Sequence, residues 1–236
     1  MTDPVAHAKS YPFPAPDHCF VYEAGAWRKL DDYGFERTGR TPVLAAGSNQ
    51  SPEQLIRKYG HLREIGPIPA ERGMLHDFDV VYAAHLAGYG SLPATFQRSP
   101  GTIVRVFVLW MTAAQLARMH ETEGNYSYDH LTGIRVDFDS GATADEAFAY
   151  SSKVGCYSQD GQCIALAEIA AENRVFVAKR QTGALEMIRD RLEPGKPLDE
   201  FIRDHIDDDL VRDARSKALG ERAIPALYQR RALLEL

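Results

Sequence analysis

A chain of 236 residues with 44% hydrophobic and 25% charged side chains carries enough apolar material for a sizeable core, at a length between one large domain and two small ones. A formal net charge of −6 and the lack of any Lys/Arg run speak against the positive field that phosphate contacts require, so nucleic acid is not an expected partner. No apolar run approaches the ~20 residues of a membrane span, and residues 1–18 lack a basic and then apolar leader, so no membrane partner and a cytoplasmic location are expected. The three cysteines, Cys19, Cys156 and Cys163, form neither a disulfide framework nor a CxxC pair and read as buried or idle thiols.

Residues 1 to about 18 hold four prolines and few large aliphatics, the composition of an extended, poorly ordered arm. "CFVYEAGAWRKL" reads as a short hairpin turning at Gly25. Val43 to Ala46 is a buried strand, followed by a helix with Ser51 as N-cap, Pro52 at its first position and Gln54 completing a capping-box pattern. "GMLHDFDVVYAAH" gives one or two strands, and "TIVRVFVLWM" a strand with Val104, Val106 and Val108 on one face. Thr112 to Thr122 is a helix capped by Thr112, and "GIRVDF" and "EAFAYSS" supply a second β pair. From about Gln162 the spacing turns helical, in "IALAEIAAENRVFVAKR", "GALEMIRDRL" and "LDEFIRDHIDDDLVRDARSKAL". The expected fold class is α+β: a small mixed β-barrel with surrounding helices, plus a helical C-terminal region. Its expected divisions are an N-terminal extension (1–40), a barrel core (41–158) and a helical region packed on the core (159–236). The apolar faces of the last helices fit either that packing or the seam of a homodimer.

Gly47-Ser48-Asn49 stands at a strand-to-helix turn, where free amides attract anions and glycine lets a ligand approach the backbone; a plain turn reads the same triplet as well. Glu123, followed by a glycine fit for a left-handed C-cap at Gly124, is a carboxylate set against a helix macrodipole, which marks it above Glu121. His120, Glu123 and His130 have no established metal spacing, and Asp207-Asp208-Asp209 reads as a solvated helix segment, so no metal is expected. Ser48 lacks the second glycine of a nucleophile elbow.

Taken in order, "GSN" at 47–49, "GYGSLPATFQRSPGTIVRVFVLWM" at 88–111, "LARMHETEGNY" at 116–126 and "FAY" at 148–150 resemble the γ-glutamyl cyclotransferase family and its AIG2-like relatives. The likeness spans residues 43–150, and its second stretch matches a glycine-rich strand pair with a Pro-Gly turn. It implies a barrel whose Gly47-Ser48-Asn49 loop holds the glutamyl end of a small-molecule γ-glutamyl substrate, with Glu123 as general acid/base and Tyr126 and Tyr150 in the pocket. On the residues alone Tyr150 reads equally as a core tyrosine. Ala46 stands where the family has a tyrosine, which implies a pocket open to a differently shaped donor. The implied product is 5-oxoproline, and because the α-amino group is an internal nucleophile the reaction needs no cofactor. The alternative is a non-catalytic small-molecule-binding module of the same fold.

Overall fold

The computed structural model describes residues 3–31, 34–62 and 64–236. The chain opens with α1 (Pro4–Lys9), then the hairpin β1 (Phe20–Glu23) and β2 (Ala26–Lys29), turning through Gly25 at φ +84°. Next come β3 (Thr41–Ala45), α2 (Pro52–Tyr59), the long strands β4 (Ile68–Tyr82) and β5 (Ala94–Met111), α3 (Ala113–His120), β6 (Tyr126–Phe138) and β7 (Thr143–Ser152). Five short strands follow: β8 (Ser158–Gln159), β9 (Gln162–Cys163), β10 (Ala165–Leu166), β11 (Ala171–Glu172) and β12 (Ala178–Lys179). The chain ends with α4 (Gln181–Leu192), α5 (Leu198–Asp207), α6 (Asp209–Gly220) and β13 (Arg231–Glu235).

Five strands close on themselves in the order β5-β3-β7-β6-β4 and back to β5, all antiparallel except β3 with β7, where Val43 lies opposite Phe148. The fold is the mixed α+β barrel that the strand and helix patterns predict. The β5 alternation explains its place in that ring. Val104, Val106 and Val108 share one apolar cluster with residues of α1, α4, α5 and α6, whereas Phe107, Leu109 and Met111 share the other with residues of β1, α2 and α3. A strand covered on both faces reads as a continuous apolar run, as "VRVFVLWM" does.

Several expectations are corrected. The N-terminal arm, whose first two residues lie outside the described residues, is a packed element. Asp3 caps α1 by accepting from Val5 N and Ala6 N, Val5 and Ala8 are buried, and Tyr11 and Phe13 are buried after them. Prolines here shape a tight path instead of keeping the chain extended. Residues 162–179 are not helical: β10 pairs with β4 and β12, and β11 pairs with β5, so hydrogen-bonding at the barrel's strand edges overrides a local apolar spacing. The acidic run breaks the last helical stretch in two, because Asp208 leaves the helix to accept from Leu210 N at 2.8 Å and Val211 N at 3.3 Å as the cap of α6. Pro100-Gly101 lies inside β5, with Gly101 at φ +84° and its N–H donating to Asp77 Oδ1 at 2.8 Å, so it is no turn between strands. A disulfide joins Cys156 to Cys163 across the β8–β9 hairpin, leaving Cys19 as a buried thiol. No helix is long and apolar enough to cross a membrane among the described residues.

Thr112 and Gln115 complete a capping box at α3, with Gln115 Oε1 accepting from Thr112 N at 2.8 Å. Ser51 and Gln54 do not. Gln54 Oε1 accepts from Arg57 Nε at 3.0 Å, and the Ser51 hydroxyl is buried without a partner.

The C-terminal helices belong to the main core through Leu185, Ile188, Phe201 and Ile202, all fully buried. The Phe201 ring also carries the Arg215 guanidinium 3.9 Å above it. Phe201→Ala is expected to lower stability by about 3–5 kcal/mol. Denaturant unfolding checks this, and a loss below ~1 kcal/mol would show that α5 adds little to the fold.

Candidate functional site

The turn that ends β3 is set by its sequence. Ala46 and Gly47 lead into a single 3-10 turn at Ser48–Gln50, in which Gln50 N–H donates to Gly47 O at 3.2 Å, and Pro52 starts α2 where a missing N–H costs nothing. One helix length on, Lys58 returns from the last turn of α2 toward Asn49. From the other side α3 ends at His120, and a tight turn places Glu123: its N–H donates to His120 O at 3.2 Å, and its carbonyl accepts from Tyr126 N at 2.8 Å as β6 begins. Gly124 does not take a left-handed conformation, contrary to the C-cap expected of it; Glu121 caps the helix instead.

These elements meet at one ion pair. Lys58 Nζ, 5% exposed, donates to Glu123 Oε1 at 2.5 Å and to Asn49 Oδ1 at 2.8 Å, and the Glu123 residue is 8% exposed. Asn49 Nδ2 donates to the same Glu123 Oε1 at 3.0 Å. Both contacts fall on Oε1, and among the described residues none is made to Oε2. Burial pushes the Lys58 ammonium's pKa down, with the Glu123 carboxylate opposing that shift. Lys58 also lies 3.1 Å from Met119 Sδ, and its carbonyl accepts from Arg118 Nε at 3.1 Å.

The pair opens onto a cavity of about 450 Å³. Gly47, Ser48, Asn49, Glu123, Tyr126 and Tyr150 all line it, so the structure brings the sequence-predicted residues round one space. Tyr126 donates to Ala94 O at 3.1 Å, and Tyr150 hydrogen-bonds His120 Nδ1 at 2.9 Å. Burial pushes the pKa of the Tyr89 phenol up to about 12, with the Ser48 side chain opposing that shift. His120 and Glu123 do not converge with His130, which faces Glu146 at 3.0 Å, and no group of three or more metal-ligating side chains is found among the described residues.

Among the cavity residues that sequence reasoning missed are Lys58, Tyr11 and His85. Lys58 reads as an ordinary charge in the last turn of a helix. Tyr11 lies in the segment read as a loose arm, yet it is 2% exposed, and its oxygen accepts from Ala94 N at 2.8 Å. Ala46, which borders the same cavity, therefore leaves it with an aromatic hydroxyl from elsewhere in the chain. His85 comes from the loop between β4 and β5, packs edge-on to Tyr126 with ring centroids 5.3 Å apart, and has no partner for its buried Nδ1.

No protein-family model matches the chain, and no curated protein does. Among solved structures it is similar to a γ-glutamyl cyclotransferase at 17% identity and a TM-score of 0.38, covering 75% of this chain and 99% of that one. It is also similar to an uncharacterised human protein, known from an ensemble refinement of its crystal structure. There the identity is 17% and the TM-score 0.37, covering 84% of this chain and 95% of that one. What the cavity does has to come from its own residues.

Two predictions concern the site's stability. Lys58→Met leaves the Glu123 charge buried and unpaired and is expected to cost about 3–5 kcal/mol, most of it regained in Lys58→Met/Glu123→Gln. Additive losses in denaturant unfolding would show that the two side chains do not depend on one another. His85, 4% exposed, has its pKa pushed down by burial to about 4 from an ordinary 6.5. Between those values the unfolded chain binds the proton that the folded chain refuses. This contribution is therefore complete above pH ~6.5 and is lost as pH falls toward ~4, by on the order of 3 kcal/mol. Unfolding at pH 7 and pH 5 should show a steeper loss in the wild type than in His85→Gln; parallel losses would contradict it.

Proposed function

We propose that the protein is a cofactor-free enzyme of the γ-glutamyl cyclotransferase type, releasing 5-oxoproline and a free amine from a small γ-glutamyl amine, peptide or related amide. The observation that carries this reading is the half-held carboxylate: Glu123 is fixed through Oε1 by Asn49 and Lys58, while Oε2 is left for a ligand. A base needs that arrangement, an ionised oxygen of fixed position with room for the proton donor.

In the proposed reaction the substrate's α-ammonium gives a proton to Glu123 Oε2. The freed amine attacks the γ-carbonyl carbon, forming the ring C–N bond, and Glu123 passes its proton to the departing nitrogen as the amide C–N bond breaks. The second proton shed by the ring nitrogen follows by way of the same carboxylate, so that the lactam keeps one N–H and the amine leaves as an ammonium ion. Ring closure is intramolecular, so orientation in the cavity supplies much of the rate. Arg57, Lys58 and Arg118, all lining the cavity, give it a positive side suited to the substrate's α-carboxylate. Tyr89, Tyr126 and Phe96 give aromatic surface for the remainder.

One observation favours a second reading, the non-catalytic binding module: Lys58 is already engaged by Glu123. Incubation with a panel of γ-glutamyl compounds separates the two. Release of 5-oxoproline supports the enzyme, and binding without release supports the module. With an active donor in hand, Glu123→Gln is expected to lower turnover by about 10²- to 10⁴-fold. Glu121→Gln serves as the control, because Glu121 is exposed and loses a surface pair with Arg118 at 2.6 Å that contributes little. Full turnover by a folded Glu123→Gln protein would remove the carboxylate from the mechanism.

A further inference from the structure

The N-terminal segment enters the cavity as a built wall. Ser91 Oγ donates to Ala8 O at 2.8 Å, His7 stacks on Phe13 at 4.4 Å between ring centroids, and Tyr11 stacks on Tyr89 at 6.3 Å. Lys9 pairs with Asp199 at the start of α5. These contacts hold the segment in place, and the Tyr11 ring itself packs between Phe13 and Tyr89.

The phenol oxygen of Tyr11 accepts a backbone N–H bond from Ala94 at 2.8 Å, and among the described residues no acceptor takes its O–H. The accepted bond polarises the hydroxyl's own hydrogen, which is left to be donated. Burial and the neighbouring Tyr89 phenol raise its pKa well above the ordinary value, so the proton stays on the oxygen. Gly47 is shaped to this contact. A Cβ there would lie 2.4 Å from the Tyr11 oxygen and 3.3 Å from Ala94 Cβ, so a side chain at 47 and a hydroxyl from 11 exclude one another. The turn thus makes room beside the cavity for the Tyr11 hydroxyl in place of a side chain at 47.

We propose that Tyr11 is a ligand-binding residue whose O–H donates to a carbonyl oxygen of the molecule in the cavity. On the cyclotransferase reading, on which this identification of the ligand rests, that atom is the substrate's γ-carbonyl oxygen and then the lactam oxygen of 5-oxoproline. No proton is transferred; the hydrogen bond strengthens as negative charge grows on the carbonyl oxygen.

The test uses L-5-oxoproline as a lactam probe, titrated calorimetrically into the full-length wild type, Tyr11→Phe, Gly47→Ala and the double variant, with melting curves of each. Wild type should bind, and Tyr11→Phe should bind about tenfold more weakly or worse, the loss of one hydrogen bond from a neutral donor. Gly47→Ala keeps every atom of Tyr11 but displaces its hydroxyl, so it should lose binding to a similar extent. The two losses should not add, because both remove the same donor from the same place. If Tyr11→Phe fails to fold, Gly47→Ala carries the comparison. Binding of the probe without 5-oxoproline release from any γ-glutamyl donor would overturn the enzyme reading while these ratios still decide the Tyr11 assignment. Equal affinity in wild type and the folded variants, additive losses, or no binding of the probe by wild type would overturn that assignment.

Discussion

The buried contact between Lys58 and Glu123 organises this molecule's pocket. Two opposite charges, each under a tenth exposed, are tolerable in an apolar surround only when they meet each other and a further hydrogen-bonding group, which Asn49 supplies. That requirement fixes three separate pieces of chain at once: the turn after β3, the last turn of α2 and the turn after α3. None can shift by much without stranding a charge. The cavity's shape on that side is therefore an electrostatic constraint more than a packing one.

The same economy of partners recurs on the other side. Ala94, at the start of β5, has both halves of its peptide group engaged by tyrosines, its N–H by Tyr11 and its carbonyl by Tyr126. A strand end that would otherwise show unpaired backbone to the cavity is saturated with phenols, and each ring is held by further rings around it. The pocket joins a charged corner to an aromatic, hydrogen-bonding one.

Local signals in the sequence were sufficient where the chain's own neighbours decide the outcome. The alternation in "VRVFVLWM", the Thr112 cap and the Gly25 turn each depend on residues within a few positions, and each forms. The stretch at 162–179 shows the opposite case. Its apolar spacing suits a helix, but the exposed edges of β4 and β5 offer hydrogen bonds that a helix there would leave unmade. Within the pocket, Gly47, Ser48, Asn49 and Glu123 could be singled out because turn and helix-end chemistry leaves a mark on sequence. Lys58, Tyr11 and His85 could not, since nothing local distinguishes a lysine late in a helix, a tyrosine among prolines or a histidine in a loop until the fold turns them inward. One sign was available for Lys58. A buried carboxylate calls for a cation, and α2 is the helix that follows the turn.

The anchoring of α1 bears on how the protein is made. Lys9 and its partner Asp199 are 190 positions apart, and Gly90, which packs against Ala8, also meets Ile206 of α5. A ribosome releases the barrel strands well before it releases α5, so for much of synthesis the N-terminal segment has only part of its binding surface. Contacts of such long sequence separation close late and slowly. The residues of the barrel strands and of the ion pair all lie in the first two thirds of the chain, whereas the wall that carries Tyr11 also leans on α5 from the last third. The pocket's aromatic side is therefore the part of the site that depends on contacts of the longest sequence separation.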